Sequence, residues 1–143
     1  MSVETILQQK GHEVLTISPV ASVKSAAEMM KKYGIAALVV TSCEIVIGVL
    51  TEREITRAFA RHGELLSTMK VKDILERGLV TISPEDSLKR AMELMSRNRV
   101  RHLPVLVDGK LQGIVSIGDL VKSRLDELQV ETGVLRDIYI SAH

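Results

Sequence analysis

The sequence predicts an α/β (α+β) protein made of two β-α-β-β-α repeats that pack sheet to sheet with pseudo-twofold symmetry. Two observations predict this fold. First, the chain of 143 residues repeats itself at an offset of 65: residues 16–19 and 81–84 both read Thr-Ile-Ser-Pro, and identities continue to Gly48 and Gly113. Second, each copy holds the same succession of apolar patterns, and a three-stranded sheet with helices on one face is too small to close a core alone.

Each copy begins with a short extended segment that ends at Pro19 or Pro84, because proline disfavours helix in the residue before it. A helix follows, since apolar side chains recur at positions i, i+3, i+4 and i+7. These side chains are Val23, Ala26, Ala27 and Met30 in the first copy, and Leu88, Ala91, Met92 and Met95 in the second. The predicted helix caps are Ser22, Asp86 or Ser87, and, at a C-terminus, Gly34.

Compact apolar runs at 35–40 and 100–107 favour buried strands over short helices. Asp108-Gly109 joins the second run to residues 111–115, and this dipeptide between two β-prone runs is a strong hairpin signal. A second helix is predicted to close each copy, near 52–61 and near 118–128.

The segment 64–76 is predicted to hold a short amphipathic helix that leads into the second copy. The predicted organisation is repeat 1 at 1–65, repeat 2 at 66–128 and a C-terminal tail at 129–143. We expect the apolar residues of the tail to extend a helix or to dock on a partner, and residues 139–143 to fray.

Composition argues against several classes of function. The formal charge is +1 and aromatic residues make up 2%, so nucleic-acid binding is disfavoured. A single cysteine, Cys43, suits a reducing compartment, and no apolar run approaches the ~20 residues of a membrane span. We therefore expect a cytoplasmic protein with no membrane partner. The four histidines lack metal-ligand spacing and no serine lies in a nucleophile elbow, so neither a metal site nor an enzyme is predicted.

The repeat resembles a tandem pair of CBS (cystathionine-β-synthase) domains, the arrangement called a Bateman module. The motifs that carry the resemblance are Val71-Lys72-Asp73-Ile74-Leu75, Thr81-Ile82-Ser83-Pro84, Val100-Arg101-His102-Leu103-Pro104-Val105, and Gly113-Ile114-Val115-Ser116-Ile117-Gly118-Asp119. The first copy departs from the family pattern at Val39, where a proline is usual, and at Glu54, where the pattern ends in Asp. Since the match covers nearly the whole chain, the resemblance implies a stand-alone CBS-pair protein.

The resemblance implies clefts that bind an adenine nucleotide, AMP in the first place, with ADP, ATP, NAD(H) or S-adenosylmethionine as alternatives. Ser116 and Asp119 make chemical sense of such a ligand, because a carboxylate accepts hydrogen bonds from vicinal ribose hydroxyls. A hydroxyl and the N–H groups of a helix N-terminus suit phosphate. The same two residues also fit an ordinary N-cap followed by a first-turn acid.

In the family each cleft is composite, so the carried-over site residues form two groups. In the first, Ile114, Ser116 and Asp119 face Thr16, Ala21, Ile35 and Ala36. In the second, Thr51 and Glu54 face Thr81, Asp86, Val100 and Arg101. We expect the Asp119 cleft to bind more tightly, because Glu54 must order a longer and more flexible side chain to reach the ribose.

Arg101 and His102 interrupt an otherwise apolar strand, and buried charge is costly unless it is paired. Either these side chains emerge at a sheet edge, or they line the central cleft and contact phosphate, as the family's basic residues do there. Arg97 and Arg99 either strengthen the same positive field or belong to a solvated surface.

The function implied by the resemblance is that of a regulatory module, which senses nucleotide and modulates an unidentified partner protein. The alternative is a structural or interaction module that binds nucleotide weakly or not at all. We also expect a homodimer, because the family usually pairs such modules through apolar helix faces. The residues predicted for that interface are Met29, Met30, Met92, Met95 and Leu120.

Overall fold

The structure is a computed structural model that describes the backbone of residues 1–142 and the side chains of residues 1–130. The helices are α1 (Val3–Lys10), α2 (Val23–Tyr33), α3 (Glu52–His62), α4 (Val71–Ile74), α5 (Leu88–Asn98) and α6 (Ile117–Ala142), with a 3-10 helix at Gly63–Thr68. The strands are β1 (Thr16–Ile17), β2 (Ala37–Ser42), β3 (Ile45–Thr51), β4 (His102–Val107) and β5 (Lys110–Ser116). The predicted fold class is confirmed.

The two sheets have the same construction. β1 runs parallel to β2 and β2 pairs antiparallel with β3, while β4 pairs antiparallel with β5. A parallel bridge between Ile82 and Val105 stands where β1 pairs with β2 in the first copy. Val40 pairs with Gly48 and Val105 with Gly113, so the sequence offset of 65 is also the structural offset.

The two hairpins turn through residues of positive φ. Asp108 and Gly109 have φ values of 49° and 76°, as the predicted two-residue turn requires. In the first copy Cys43 and Glu44 hold the matching positions with φ values of 50° and 66°. Neither residue is a usual choice for the left-handed region, so only the repeat, and no turn motif, predicts this hairpin.

The first helix of each copy packs on the core of the other copy. On α1, Val3, Ile6 and Leu7 lie in the same apolar cluster as Ala91, Met95 and Leu103 of the second copy. On α4, Val71 and Ile74 lie in the cluster of the first copy, with Val23, Ala26 and Leu38. Matched backbone hydrogen bonds hold the two helices. The Val3 N–H donates to the Asp86 carbonyl and the Val71 N–H to the Ala21 carbonyl, both at 2.9 Å.

Sequence analysis missed α1, although a signal for it exists. Val3, Ile6 and Leu7 have helical spacing, and residues 3–7 read Val-Glu-Thr-Ile-Leu where residues 71–75 read Val-Lys-Asp-Ile-Leu. The offset between these segments is 68 rather than 65, which conceals the match in an ungapped comparison. The predicted helix in 64–76 corresponds to α4.

Two glycines let the exchanged helices approach the sheets. A Cβ atom on Gly48 of β3 would lie 2.8 Å from Leu75 Cδ2, and one on Gly113 of β5 would lie 2.6 Å from Leu7 Cδ2. Both distances are shorter than van der Waals contact. The glycines therefore make room for the leucines, which explains why they recur at the same offset.

Capping follows the sequence with one correction. Ser22 Oγ accepts a hydrogen bond from the Ser25 N–H, and Ser87 Oγ accepts one from the Arg90 N–H, both at 3.0 Å. Ser87 is thus the N-cap of α5. The Asp86 carboxylate instead accepts the Ser83 N–H at 2.9 Å, inside the preceding turn.

α6 continues through the predicted tail to Ala142, so residues 129–142 extend the helix. The side chains of Val134, Leu135 and Ile138 lie outside the described residues, and the fraying of residues 139–143 stays a prediction. Over the part of the chain that is described, no helix combines the length and apolar character needed to cross a membrane.

The predicted dimer interface needs a correction. Met30, Met95 and Leu120 are 4%, 3% and 2% exposed, because they fill the cores of their own chain. Met29 is half-buried and Met92 is exposed. The exposed apolar stripe lies elsewhere on α6, at Ile117, Val121, Leu125 and Leu128.

The exchange of helices predicts that Leu7→Ala destabilises the protein by about 2 to 5 kcal/mol, because Leu7 is fully buried in the second core. Urea unfolding measures the loss, with Gln8→Ala, an exposed neighbour on the same helix, as the control. A loss below about 1 kcal/mol in Leu7→Ala would show that α1 is not part of this core.

Candidate functional site

α3 and α6 begin with the same arrangement of a hydroxyl and a carboxylate. The Ser116 N–H donates to Asp119 Oδ2 at 2.8 Å, and the Asp119 N–H donates to Ser116 Oγ at 3.1 Å. At α3 the Thr51 N–H donates to Glu54 Oε2 at 2.7 Å, the Thr51 hydroxyl donates to the same oxygen, and the Arg53 N–H donates to Thr51 Oγ1. These are capping boxes, so the residue pairs named from the sequence do meet at matched helix N-termini.

A cleft of about 350 Å³ lies between the two copies beside Glu54 and is called the Glu54 cleft here. The first copy contributes Glu54 and Arg53, and the second contributes Val100, Arg99 and His102. Of the predicted site residues, Glu54, Val100 and His102 therefore line one cleft, and their role in binding stays a prediction.

Four residues predicted for this cleft are not among those that line it. Thr51 and Asp86 use their side chains in the cap of α3 and in the turn at Ser83. Thr81 is half-buried and Arg101 is exposed. The Arg101 carbonyl accepts the Ile117 N–H at 2.9 Å, which fixes its backbone at the start of α6.

The second carboxylate, Asp119, is occupied by a lysine from α1. Lys10 Nζ donates to Asp119 Oδ2 at 2.8 Å and to the Ile114 carbonyl at 2.9 Å. The side chains of Lys10 and Asp119 are 34% and 23% exposed, so the ion pair is only partly screened by water. The surroundings of Asp119 are called the Asp119 cleft from here on.

The residues predicted to face Asp119 are spread between surface and core. Thr16 and Ala36 are exposed, whereas Ala21 and Ile35 are half-buried and pack against the core of the first copy. None of the four lines the Glu54 cleft. Their place opposite Asp119 stays a prediction.

Asp119 stays ionised at neutral pH. Burial by itself would raise the pKa of this carboxyl. The hydrogen bonds from Lys10 and Ser116, together with the positive charge of Lys10, outweigh burial and hold the pKa of Asp119 below its usual value. The carboxylate is therefore an acceptor across the physiological range.

His102 lies in the field of both carboxylates. Burial lowers the pKa of its imidazole, and the charges of Lys10 and Arg101 lower it further. Asp119 and Glu54 act in the opposite direction but do not cancel these effects. His102 is therefore mainly neutral at pH 7, and it offers a phosphate one N–H donor rather than a positive charge.

The positive charge at the Glu54 cleft comes from arginines. Arg53, Arg77 and Arg99 line it, and an Arg53 guanidinium N–H donates to the Arg99 carbonyl at 2.7 Å across the two copies. Arg99 ends α5 with a φ of 55°, where the first copy has Gly34 with a φ of 62°. Of these arginines, sequence analysis named only Arg99.

Sequence analysis also missed Lys10 and Arg77, although a signal links them. Lys10 precedes Gly11 and Arg77 precedes Gly78, and both glycines have a φ of 99°. Lys10 is the last residue of α1 and Arg77 lies three residues after α4, so a basic residue and a glycine occur at the C-terminal side of each exchanged helix. In residues 1–130, no three metal-binding side chains cluster in a way that could hold a metal ion.

The repeated sheets and the paired helix N-termini are those of a tandem CBS-domain protein. The family model for the CBS domain matches residues 10–61 and 71–126, and the chain belongs to this family. CBS pairs are regulatory modules that bind adenosine-containing ligands in general, and stand-alone CBS-pair proteins are not catalytic.

Similar proteins come from plants, bacteria and archaea. A mitochondrial CBS domain-containing protein of Arabidopsis thaliana is 37% identical over 115 residues, which cover 77% of this chain and 56% of the relative. An inosine-5'-monophosphate dehydrogenase of Korarchaeum cryptofilum is 35% identical over 109 residues, but the match covers 22% of that enzyme, its CBS region. A crystal structure of a CBS-domain protein from Agrobacterium tumefaciens superposes with a TM-score of 0.84 at 35% identity, covering 87% of this chain and 99% of that one.

The lowered pKa of His102 predicts that acid weakens the folded state. Above pH 6.5 the imidazole is neutral in both the folded and the unfolded chain. As the pH falls below 6.5, the unfolded chain binds a proton that the folded protein resists, so stability falls until the lowered folded pKa is reached. Urea unfolding between pH 7.5 and 5 measures this loss.

His102→Gln should remove that part of the pH dependence, whereas His62→Gln, which changes an exposed histidine, should retain it. If the profile of His102→Gln ran parallel to that of the unmodified protein, His102 would not be the group responsible.

Proposed function

We propose that this chain is a regulatory module that binds an adenine nucleotide between its two copies and passes the resulting change to a partner protein. The observation that carries the proposal is the pair of matched helix N-termini headed by Thr51–Glu54 and Ser116–Asp119, with Glu54 in a cleft that His102 of the other copy also lines. AMP is the first candidate ligand, with ADP, ATP, NAD(H) and S-adenosylmethionine as alternatives. A cytoplasmic location is part of the same proposal.

The Glu54 cleft has the chemistry that a mononucleotide needs. Its volume of about 350 Å³ lies within the range of small-molecule pockets. The Glu54 carboxylate suits the ribose diol, Val100 offers an apolar contact for adenine, and the guanidinium groups of Arg77 and Arg99 suit phosphate. Arg53 of the first copy donates a hydrogen bond to the Arg99 carbonyl of the second copy, which links the two sides of the cleft.

The order of the two clefts stays a prediction. The sequence favours tighter binding in the Asp119 cleft, because an aspartate side chain has fewer rotatable bonds to order than a glutamate side chain. The Lys10 ion pair favours the opposite order of affinities, since the Asp119 carboxylate is already paired before any ligand binds. The Glu54 carboxylate is engaged by its own Thr51, whose hydroxyl can rotate away without breaking an ion pair.

Glu54→Gln should weaken AMP binding in the Glu54 cleft by about tenfold, because a hydrogen bond to a charged acceptor contributes about 1.5 to 3 kcal/mol and the amide is neutral. Isothermal titration calorimetry measures the loss. Glu52→Gln is the matched control, since Glu52 is an exposed acid in the first turn of the same helix.

Unchanged affinity in Glu54→Gln would remove Glu54 from the site. If the unmodified protein bound none of the five candidate ligands, the structural or interaction module would be the better function.

Self-association is the second part of the proposal. CBS-pair proteins often form oligomers, and a cyanobacterial CBS-CP12 protein of similar fold, 27% identical with a TM-score of 0.74, is hexameric. Here the exposed stripe at Ile117, Val121, Leu125 and Leu128 follows helical spacing on α6, beside exposed Met92 on α5. We propose that this stripe meets its counterpart in a second copy of the chain, because such isologous contacts close a dimer.

Leu125→Lys should convert the dimer into a monomer, because a charge at the centre of an apolar interface is left unpaired. Sedimentation equilibrium at micromolar concentration gives the mass. Leu65→Lys, a change at another exposed leucine in the 3-10 helix, should leave the dimer intact. A monomeric unmodified protein, or equal effects of the two variants, would contradict the proposed interface.

A further inference from the structure

The Lys10 ammonium, at the end of α1, contacts two hydrogen-bond acceptors in the Asp119 cleft, the Asp119 carboxylate and the Ile114 carbonyl. The ammonium lies 2.8 Å from Asp119 Oδ2 and 2.9 Å from the Ile114 carbonyl, so it bridges a side chain and a strand of the second copy. Glu54 has no such partner within residues 1–130, because its Oε2 atom accepts hydrogen bonds from Thr51 alone.

The hydrogen bonds at Asp119 leave little room for a ribose diol. Oδ2 already accepts the Ser116 N–H at 2.8 Å, and Lys10 takes its second lone pair. A vicinal diol donates two hydrogen bonds, ideally one to each carboxylate oxygen. While Lys10 is in place, only Oδ1 can take part, so full engagement of the diol requires the ammonium to leave Oδ2.

The cost of that departure depends on the ligand. A nucleoside is neutral, so it replaces an ion pair by hydroxyl contacts and leaves the lysine charge without a counter-ion. A nucleotide carries phosphate oxygens that accept hydrogen bonds from an ammonium. Since the lysine side chain is a flexible four-carbon stem at the end of α1, its ammonium can move while the buried part of the helix stays in place.

We propose that Lys10 determines the ligand specificity of the Asp119 cleft, favouring adenosine ligands that carry phosphate over the bare nucleoside. As the ligand binds, the Lys10 ammonium leaves the Asp119 carboxylate and pairs with the ligand's phosphate. A nucleotide therefore replaces the ion pair that is lost, whereas a nucleoside does not. This inference rests on the proposed function, because it takes Asp119 as the ribose acceptor. The Glu54 cleft has no equivalent exchange, because Glu54 accepts hydrogen bonds from Thr51 and Lys10 reaches this cleft only through its charge on His102.

The test compares AMP with adenosine in the unmodified protein and in Lys10→Met. Nuclear magnetic resonance titrations resolve the two clefts, because the amides of Ile114 and Ser116 report on one and those of Val49 and Thr51 on the other. In Lys10→Met, adenosine should bind the Asp119 cleft about fivefold more tightly, since no ion pair has to be broken. AMP affinity should stay the same or fall, so the preference for AMP should fall by about fivefold or more.

Two further variants separate specificity from structure. Lys10→Arg keeps the charge and should keep the preference for AMP. Lys31→Met removes an exposed lysine from the last turn of α2, as Lys10→Met does from the last turn of α1, and should leave the preference unchanged. At the Glu54 cleft the ratio of the two affinities should be the same in all four proteins at about pH 8, where His102 is neutral with or without Lys10.

An unchanged preference at the Asp119 cleft of Lys10→Met would overturn the role of Lys10 and leave the proposed function standing. The same holds if AMP binds only in the Glu54 cleft of both proteins. If neither compound shifts any of these amides in any variant, the inference fails. The proposed function fails with it if ADP, ATP, NAD(H) and S-adenosylmethionine also leave these amides unshifted.

Discussion

The exchange of α1 and α4 between the two cores is the constraint on which the rest of the structure depends. Leu7 and Leu75 each reach a sheet of the opposite copy, and glycines at 113 and 48 leave the space that they fill. Because burial of apolar surface is the dominant favourable term in folding, each copy is complete only when the other supplies its helix. The Glu54 cleft forms where the copies meet, and Lys10 of α1 pairs with Asp119 of the second copy, so the same packing that stabilises the protein also positions both carboxylates.

This constraint makes two similar sites chemically different. Lys10 ends α1 and Arg77 lies shortly after α4, and each precedes a glycine, yet Lys10 pairs with Asp119 whereas Arg77 lines the Glu54 cleft. In the absence of ligand, the carboxylate of the Asp119 cleft is therefore paired with a lysine. In the Glu54 cleft, arginine side chains surround a carboxylate that caps its own helix. The near-symmetric fold thus gives its two matched helix N-termini surroundings of unequal charge.

The sequence predicted most of the fold because the repeat transfers each element from one copy to the other, including a hairpin at Cys43-Glu44 that has no turn motif of its own. It also predicted the pairs Ser116–Asp119 and Thr51–Glu54, since their members are close along the chain. It could not predict the ion pair of Lys10 with Asp119, because only the exchange of helices brings these distant residues together. The amphipathic pattern likewise placed Met30 and Met95 on an apolar helix face, but it could not show whether this face packs inside its own chain or against a second copy.

The exchanged helices also bear on how such a chain arises. A protein with a single copy would have no second core of its own to receive its first helix, and its own sheet would lack a cover. Two such molecules could complete each other by trading helices, giving an intertwined pair. Gene duplication and fusion would then join the pair into one polypeptide, and the pseudo-twofold axis of the present molecule would be the former symmetry axis between two separate subunits.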